Sequence, residues 1–181
     1  MSRAISLSKL TIRLHWLIAV GMIGSLAFGI YLDEFAASAN KGSLIGLHKS
    51  VGVIVLLLAL VRLINTAKQG LPTPISESAA WQLSAAKVTH ILLLAGTLFM
   101  PISGVMMSVG GGYPVGVFGL PLIPAGEENE MLSQIGHTMH GVGANIMIAA
   151  VLLHVAGAVK HSLIDKDGTM ARMLGKQIGN S

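Results

Sequence analysis

Two histidines, His140 and His154, sit fourteen positions apart inside one long apolar stretch. An α-helix turns about 100° per residue, so fourteen steps return a side chain to within roughly 40° of its starting direction, about 21 Å further along the axis. Both imidazoles therefore leave one helix face, near opposite edges of a hydrocarbon slab about 30 Å thick. A helix of this kind can carry two flat metal cofactors, one near each membrane surface. Imidazole is the usual axial ligand of haem iron, and the remaining sequence must supply the opposing ligands.

The elements that would position them are apolar spans. The 181-residue chain is 52% hydrophobic and 11% charged, with a mean hydropathy of +0.72. Those values exclude an ordinary soluble domain and predict a single all-α membrane domain over residues 1–181, an integral four-helix bundle. Apolar runs place spans at about 12–32, 45–64, 85–108 and 135–161, each near the length a crossing helix needs. The first is too long for a cleavable signal peptide and carries His15 and Trp16 at its start. The connection at about 33–44 reads as short and polar. Residues 71–78, with Pro72 and Pro74, read as a turn, and 109–134 as a long outer loop capping one face. Gly21, Gly24, Gly29, Gly52, Gly96, Gly104, Gly141 and Gly143 lie in the spans, where small residues allow close approach of a backbone or a planar ligand.

Orientation follows from the basic residues. Arg3, Lys9, Arg13, Arg62, Lys68, Lys87, Lys160, Lys166, Arg172 and Lys176 fall on one side, and only Lys41 and Lys49 on the other. The positive-inside rule then predicts a multi-pass membrane protein with both termini cytoplasmic. A sequence pI near 9.6 would suit nucleic acid, but these residues follow membrane topology and form no patch with interleaved aromatics.

With that topology, depth sorts the histidines. His48, His137 and His140 lie at outer depth; His15, His90, His154 and His161 lie at inner depth. Depth-matching pairs His48 with His140 and His15 with His154 as axial ligands of two haem irons. Four histidines on three helices make simple interhelical hydrogen bonding the weaker account. His137, three residues before His140, is a rival outer ligand. Gly141 and Gly143 favour His140 by leaving room for a macrocycle. Absence of cysteine excludes thiolate-bound haem, iron–sulfur clusters and covalent haem attachment, so a redox role would rest on histidine. Zinc would want carboxylate or thiolate partners that the spans lack. His90 and His161, with Lys87 one turn from His90, admit two readings: polar residues snorkelling to the interface, or donors to a quinone.

The sequence resembles the bacterial cytochrome b561 family of dihaem inner-membrane proteins over nearly its whole length, about Lys9 to Arg172. The resemblance rests on Ile12–Arg13–Leu14–His15–Trp16, Leu47–His48–Lys49, Thr89–His90, Gly104–Val105–Met106–Met107, Phe118–Gly119–Leu120–Pro121 and the His140, His154, His161 series. It implies the same two ligand pairs and a quinone near His90 and His161. It leans toward members that take electrons from superoxide at the outer face and pass them through two haems b to ubiquinone. Lys49, with Lys41, is the outer positive charge available to an anion, although Glu127, Glu128 and Glu130 oppose it. The competing expectation is a cytochrome b subunit linking the quinone pool to a redox partner (a dehydrogenase, hydrogenase or reductase), with the acidic loop as docking surface.

Overall fold

The computed structural model describes residues 7–176 except 71, 73, 74 and 76–78. Most of the expected turn at 71–78 therefore lies outside the described residues. Four long helices dominate: α1 (Lys9–Glu34), α2 (Ser38–Gln69), α3 (Ala80–Gly110) and α4 (Glu130–Lys160). All four are long and apolar enough to cross a membrane. At 1.5 Å per residue a 31-residue helix is about 46 Å long, so each overshoots the hydrocarbon layer.

Every helix begins before its predicted apolar span, and α1, α2 and α3 also end beyond it. Ser8 caps α1 by accepting from the Thr11 N–H, and Asn129 does the same for α4 at Leu132. The expected connection at 33–44 shrinks to residues 35–37, because polar Ser38–Lys41 is already helical. The outer loop likewise shortens to residues 111–129 and folds into a hairpin, β1 (Val115–Val117) with β2 (Leu120–Ile123). Phe118 and Gly119 turn it, both at positive φ, as a two-residue turn matched to strand twist requires. The hairpin docks on α2: the Phe118 N–H donates to Ser50 Oγ at 2.9 Å, and Lys49 Nζ donates to the Pro114 carbonyl at 3.2 Å.

After α4 a π-helical turn (His161–Asp165) leads to a short helix, α5 (Thr169–Met173). Left-handed Lys166 and Gly168 reverse the chain, and the Trp16 indole N–H ties α1 to the Met173 carbonyl at 3.0 Å. The bundle thus has a hairpin end and a terminal end.

Glycines set the tightest seam. A Cβ on Gly136 would fall 2.7 Å from Met107 Cα, and one on Gly110 would fall 2.7 Å from Ser133 Cα, so α3 and α4 touch backbone to backbone. Gly143 belongs to this seam, against Met100 Sδ and the Phe99 ring. The macrocycle room expected beside His140 is therefore not at Gly143; Gly141 is the one with nothing within 4 Å. By contrast, α1 meets α4 only sparingly.

Seven-residue steps organise the interior. They run His15, Met22, Gly29 on α1; His48, Val55, Arg62 on α2; His90, Thr97, Gly104 on α3; and His140, Met147, His154 on α4. A heptad drifts by only about 20° around a helix, so each series keeps facing one seam. Met22, Val55, Met100 and Met147 form the buried centre. Large apolar side chains such as Val20, Leu57, Leu152 and Leu153 stay exposed, as a lipid-facing surface requires.

Candidate haem-binding tiers

Above and below that centre lie two histidine tiers. At the hairpin end the His48 and His140 rings stand 6.2 Å apart, centroid to centroid. At the terminal end His15 and His154 stand 6.0 Å apart. A metal–imidazole bond of about 2 Å plus roughly 1 Å from nitrogen to ring centre, taken twice, gives about 6 Å for two rings on one ion. Both pairs have that separation, and His140 and His154 put the tiers about 21 Å apart along α4.

At the hairpin-end tier one ring is hydrogen-bonded and the other is not. His140 Nδ1 lies 3.0 Å from both the Met100 carbonyl and Ser103 Oγ, whose hydroxyl itself donates to Met100 at 2.8 Å. Donation of Nδ1–H to that carbonyl leaves the Nε2 lone pair for a metal, the usual arrangement around a ligating histidine. Across the seam His48 Nδ1 is buried without a hydrogen-bond partner, a condition that costs free energy unless a bound group meets that nitrogen. Gly29 and Gly104 occupy the other two facing positions. A Cβ there would sit 3.6 Å from His48 Cε1 and 3.3 Å from His140 Cε1, so glycine keeps both rings unobstructed. These residues fit a bis-histidine haem. His137 is exposed and lines a separate cavity of about 940 Å³, with Lys49, Ser50, Ser108 and Phe118.

The terminal-end tier holds more than the expected pair. His90 comes within 5.3 Å of His154, ring to ring, so three imidazoles meet there. Arg62, read from sequence only as a topology charge, lies within electrostatic reach of all three. Its fourteen-residue spacing from His48 is the signal that would have placed it.

His161 is engaged elsewhere. Its Nδ1 donates to Asp167 Oδ2 at 2.7 Å, and Asp167 Oδ1 accepts from the Thr169 N–H at 2.9 Å. Burial pushes the Arg172 guanidinium below its usual value, and the Asp167 carboxylate draws it back up. His161, Asp165 and Asp167 also gather their ligand atoms within 4.8 Å, a potential metal-binding cluster. Lys160 already grips both Asp165 oxygens, at 2.8 and 2.6 Å, so much of that charge is neutralised. Lys87 is exposed on α3. No hydrogen bond or ring contact joins it, His90 and His161 among the described residues. Lys49, besides its bond to Pro114, lies 5.6 Å from the Tyr113 ring centre in a cation–π contact.

The chain is similar to known proteins over most of its length. The family model described as prokaryotic cytochrome b561 matches residues 6–176. Cytochrome b561 homolog 2 of Escherichia coli (strain K12) is 29% identical over 169 residues, covering 90% of this chain and 87% of that protein. Cytochrome b561 homolog 1 of the same organism is 28% identical, covering 92% and 96%. A probable superoxide oxidase CybB of Yersinia pestis is 26% identical, covering 95% and 97%. With four apolar helices, these matches identify a multi-pass inner-membrane redox protein of the electron-transfer type. The chain belongs to the prokaryotic cytochrome b561 family.

Proposed function

We propose that this chain is a single-domain dihaem b-type cytochrome, with cytoplasmic termini, that carries electrons from superoxide at the periplasmic hairpin end to ubiquinone at the terminal end. The observation that carries the reading is the pair of histidine tiers with matching ring separations, 6.2 and 6.0 Å. His48 and His140 would hold one iron and His15 and His154 the other. A haem held by two of these imidazoles would supply one-electron transfer.

The chain's own residues supply the rest. Met100 and Ser103 hold His140 in one tautomer, and the Met22–Val55–Met100–Met147 centre excludes water between the tiers. Lys49 offers superoxide a positive charge at the rim of the outer cavity and anchors the hairpin around it. At the terminal end His90 stands beside His154, and His161 is oriented by Asp167; these, with Lys87, are the donors for quinone oxygens. Two superoxide anions surrender two electrons and leave as dioxygen, and the quinone takes those electrons with two protons from the cytoplasmic side. The relative of Yersinia pestis, by its name a probable superoxide oxidase, supports that choice of donor.

A second reading, an electron-transfer subunit for a partner dehydrogenase, hydrogenase or reductase, is favoured by one observation. Phe118 and Leu120 on the hairpin are 65% and 70% exposed, and Glu127 and Glu128, later in the same loop, are exposed as well, so this loop offers apolar and acidic groups to a partner. Purified protein in vesicles with ubiquinone decides between them. Superoxide consumption matched by quinol formation is expected; b-type absorbance without turnover transfers the case to the subunit reading.

A further inference from the structure

The register of the α1–α2 seam at the terminal end is fixed by side chains. Asn65 Nδ2 donates to Thr11 Oγ1 at 3.0 Å, and the Thr11 hydroxyl donates to Gln69 Oε1 at 3.3 Å. The helices run antiparallel, so one turn deeper from Thr11 comes His15 and one turn deeper from Asn65 comes Arg62. The guanidinium therefore occupies the same layer as His15, His90 and His154. It stands in the α2 series where the hairpin end has His48.

Arg62 is half-buried inside a membrane-crossing helix, and among the described residues it makes no hydrogen bond or ion pair. A guanidinium at such a position is costly unless an anion meets it, and intramembrane cations face the interior with a partner. Among the described residues no carboxylate shares that layer. The Thr11–Asn65–Gln69 latch lies between Arg62 and the end of the bundle. The anion expected there is one brought by the cofactor, since protohaem carries two carboxylates at one edge.

Resting on the haem reading above, we propose that Arg62 binds a carboxylate of the haem held by His15 and His154 and raises the reduction potential of that tier relative to the other. Reduction adds negative charge to the iron and macrocycle, and a fixed cation in a low-dielectric site favours the more negative state. At the hairpin end the facing positions are Gly29, His48, Gly104 and His140, none of them a guanidinium, and the neighbouring cation Lys49 is turned to the Pro114 carbonyl of the hairpin. The difference makes flow from the hairpin end to the terminal end downhill.

Redox titration of the purified protein tests this, with the terminal-end couple defined as the one absent in His15→Ala. In Arg62→Gln that couple should move to lower potential while the other stays, and Arg62→Lys should keep both near wild type. Two haems with both couples unmoved in Arg62→Gln, or moved equally, would overturn the proposal and leave the histidine ligation intact. A wild type without haem would remove the ligation reading as well. If Arg62→Gln does not accumulate, wild-type apoprotein reconstituted with protohaem dimethyl ester serves instead. Uptake at the terminal end should then be several-fold weaker than with the free acid, and equal uptake overturns the proposal.

Discussion

Gly136→Ala should damage the hairpin-end tier selectively, although residue 136 touches no histidine. A Cβ there would lie 2.7 Å from Met107 Cα and 3.0 Å from the Met106 carbonyl carbon. Carbon atoms prefer about 3.5–4.0 Å, so α3 must retreat by roughly 1 Å. Both obstructing atoms are backbone, which cannot swing aside as a long side chain would. Overpacking of this kind costs about 1–3 kcal/mol. His140 sits one turn beyond Gly136 on α4, and its Nδ1 contacts are with Met100 and Ser103 of α3, both at 3.0 Å. A retreat of roughly 1 Å stretches them past the useful hydrogen-bond range. If the seam strain falls on that site, haem affinity there drops about 5- to 150-fold, while the tier at His15 and His154 keeps its haem. The assay is haem quantitation with thermal unfolding in detergent, set beside Gly24→Ala, where nothing lies within 4 Å of the new Cβ. Equal behaviour of the two variants, or equal loss from both tiers, would refute the reasoning.

Other outcomes follow from individual contacts. Asp167→Asn should leave both haems in place and slow quinone reduction, because it weakens the charge-assisted bond to His161, worth about 1.5–3 kcal/mol; stopped-flow reoxidation by quinone measures it, and an unchanged rate counts against the assigned role of His161. Lys49→Met should free the hairpin from its Pro114 tether and remove salt dependence from superoxide oxidation. Limited proteolysis and rates across ionic strength read the two effects, and a salt dependence equal to wild type contradicts the steering role. Ser50→Ala should expose the hairpin to protease through loss of the Phe118 bond at 2.9 Å, with salt dependence retained.

Much of this architecture is legible in the sequence because membrane helices obey two simple rules, apolar length and helical spacing. The four spans emerge in order, though each is too short, since Ser38–Lys41 and Asn65–Gln69 are helical without being apolar. Spacing also pairs His48 with His140 and His15 with His154, and those rings lie 6.2 and 6.0 Å apart. What spacing alone does not reveal is which neighbour a face meets. Gly141 and Gly143 look equivalent in the sequence, yet one is open and the other lies under Met100. Arg62 counts equally toward topology whether it points to water or into a tier; its facing depends on the Thr11–Asn65 register, a tertiary contact. The π turn and α5 escaped because Lys166 and Gly168 reverse the chain through local backbone conformation, leaving no apolar period to read.

The most direct test of the two-tier account is a reduced-minus-oxidised spectrum with haem-to-protein ratio for wild type, His140→Ala and His154→Ala. The account predicts two b-type haems per chain in the wild type and one in each variant. A colourless wild type prepared with ample haem supply, or variants that both keep two haems, would contradict it.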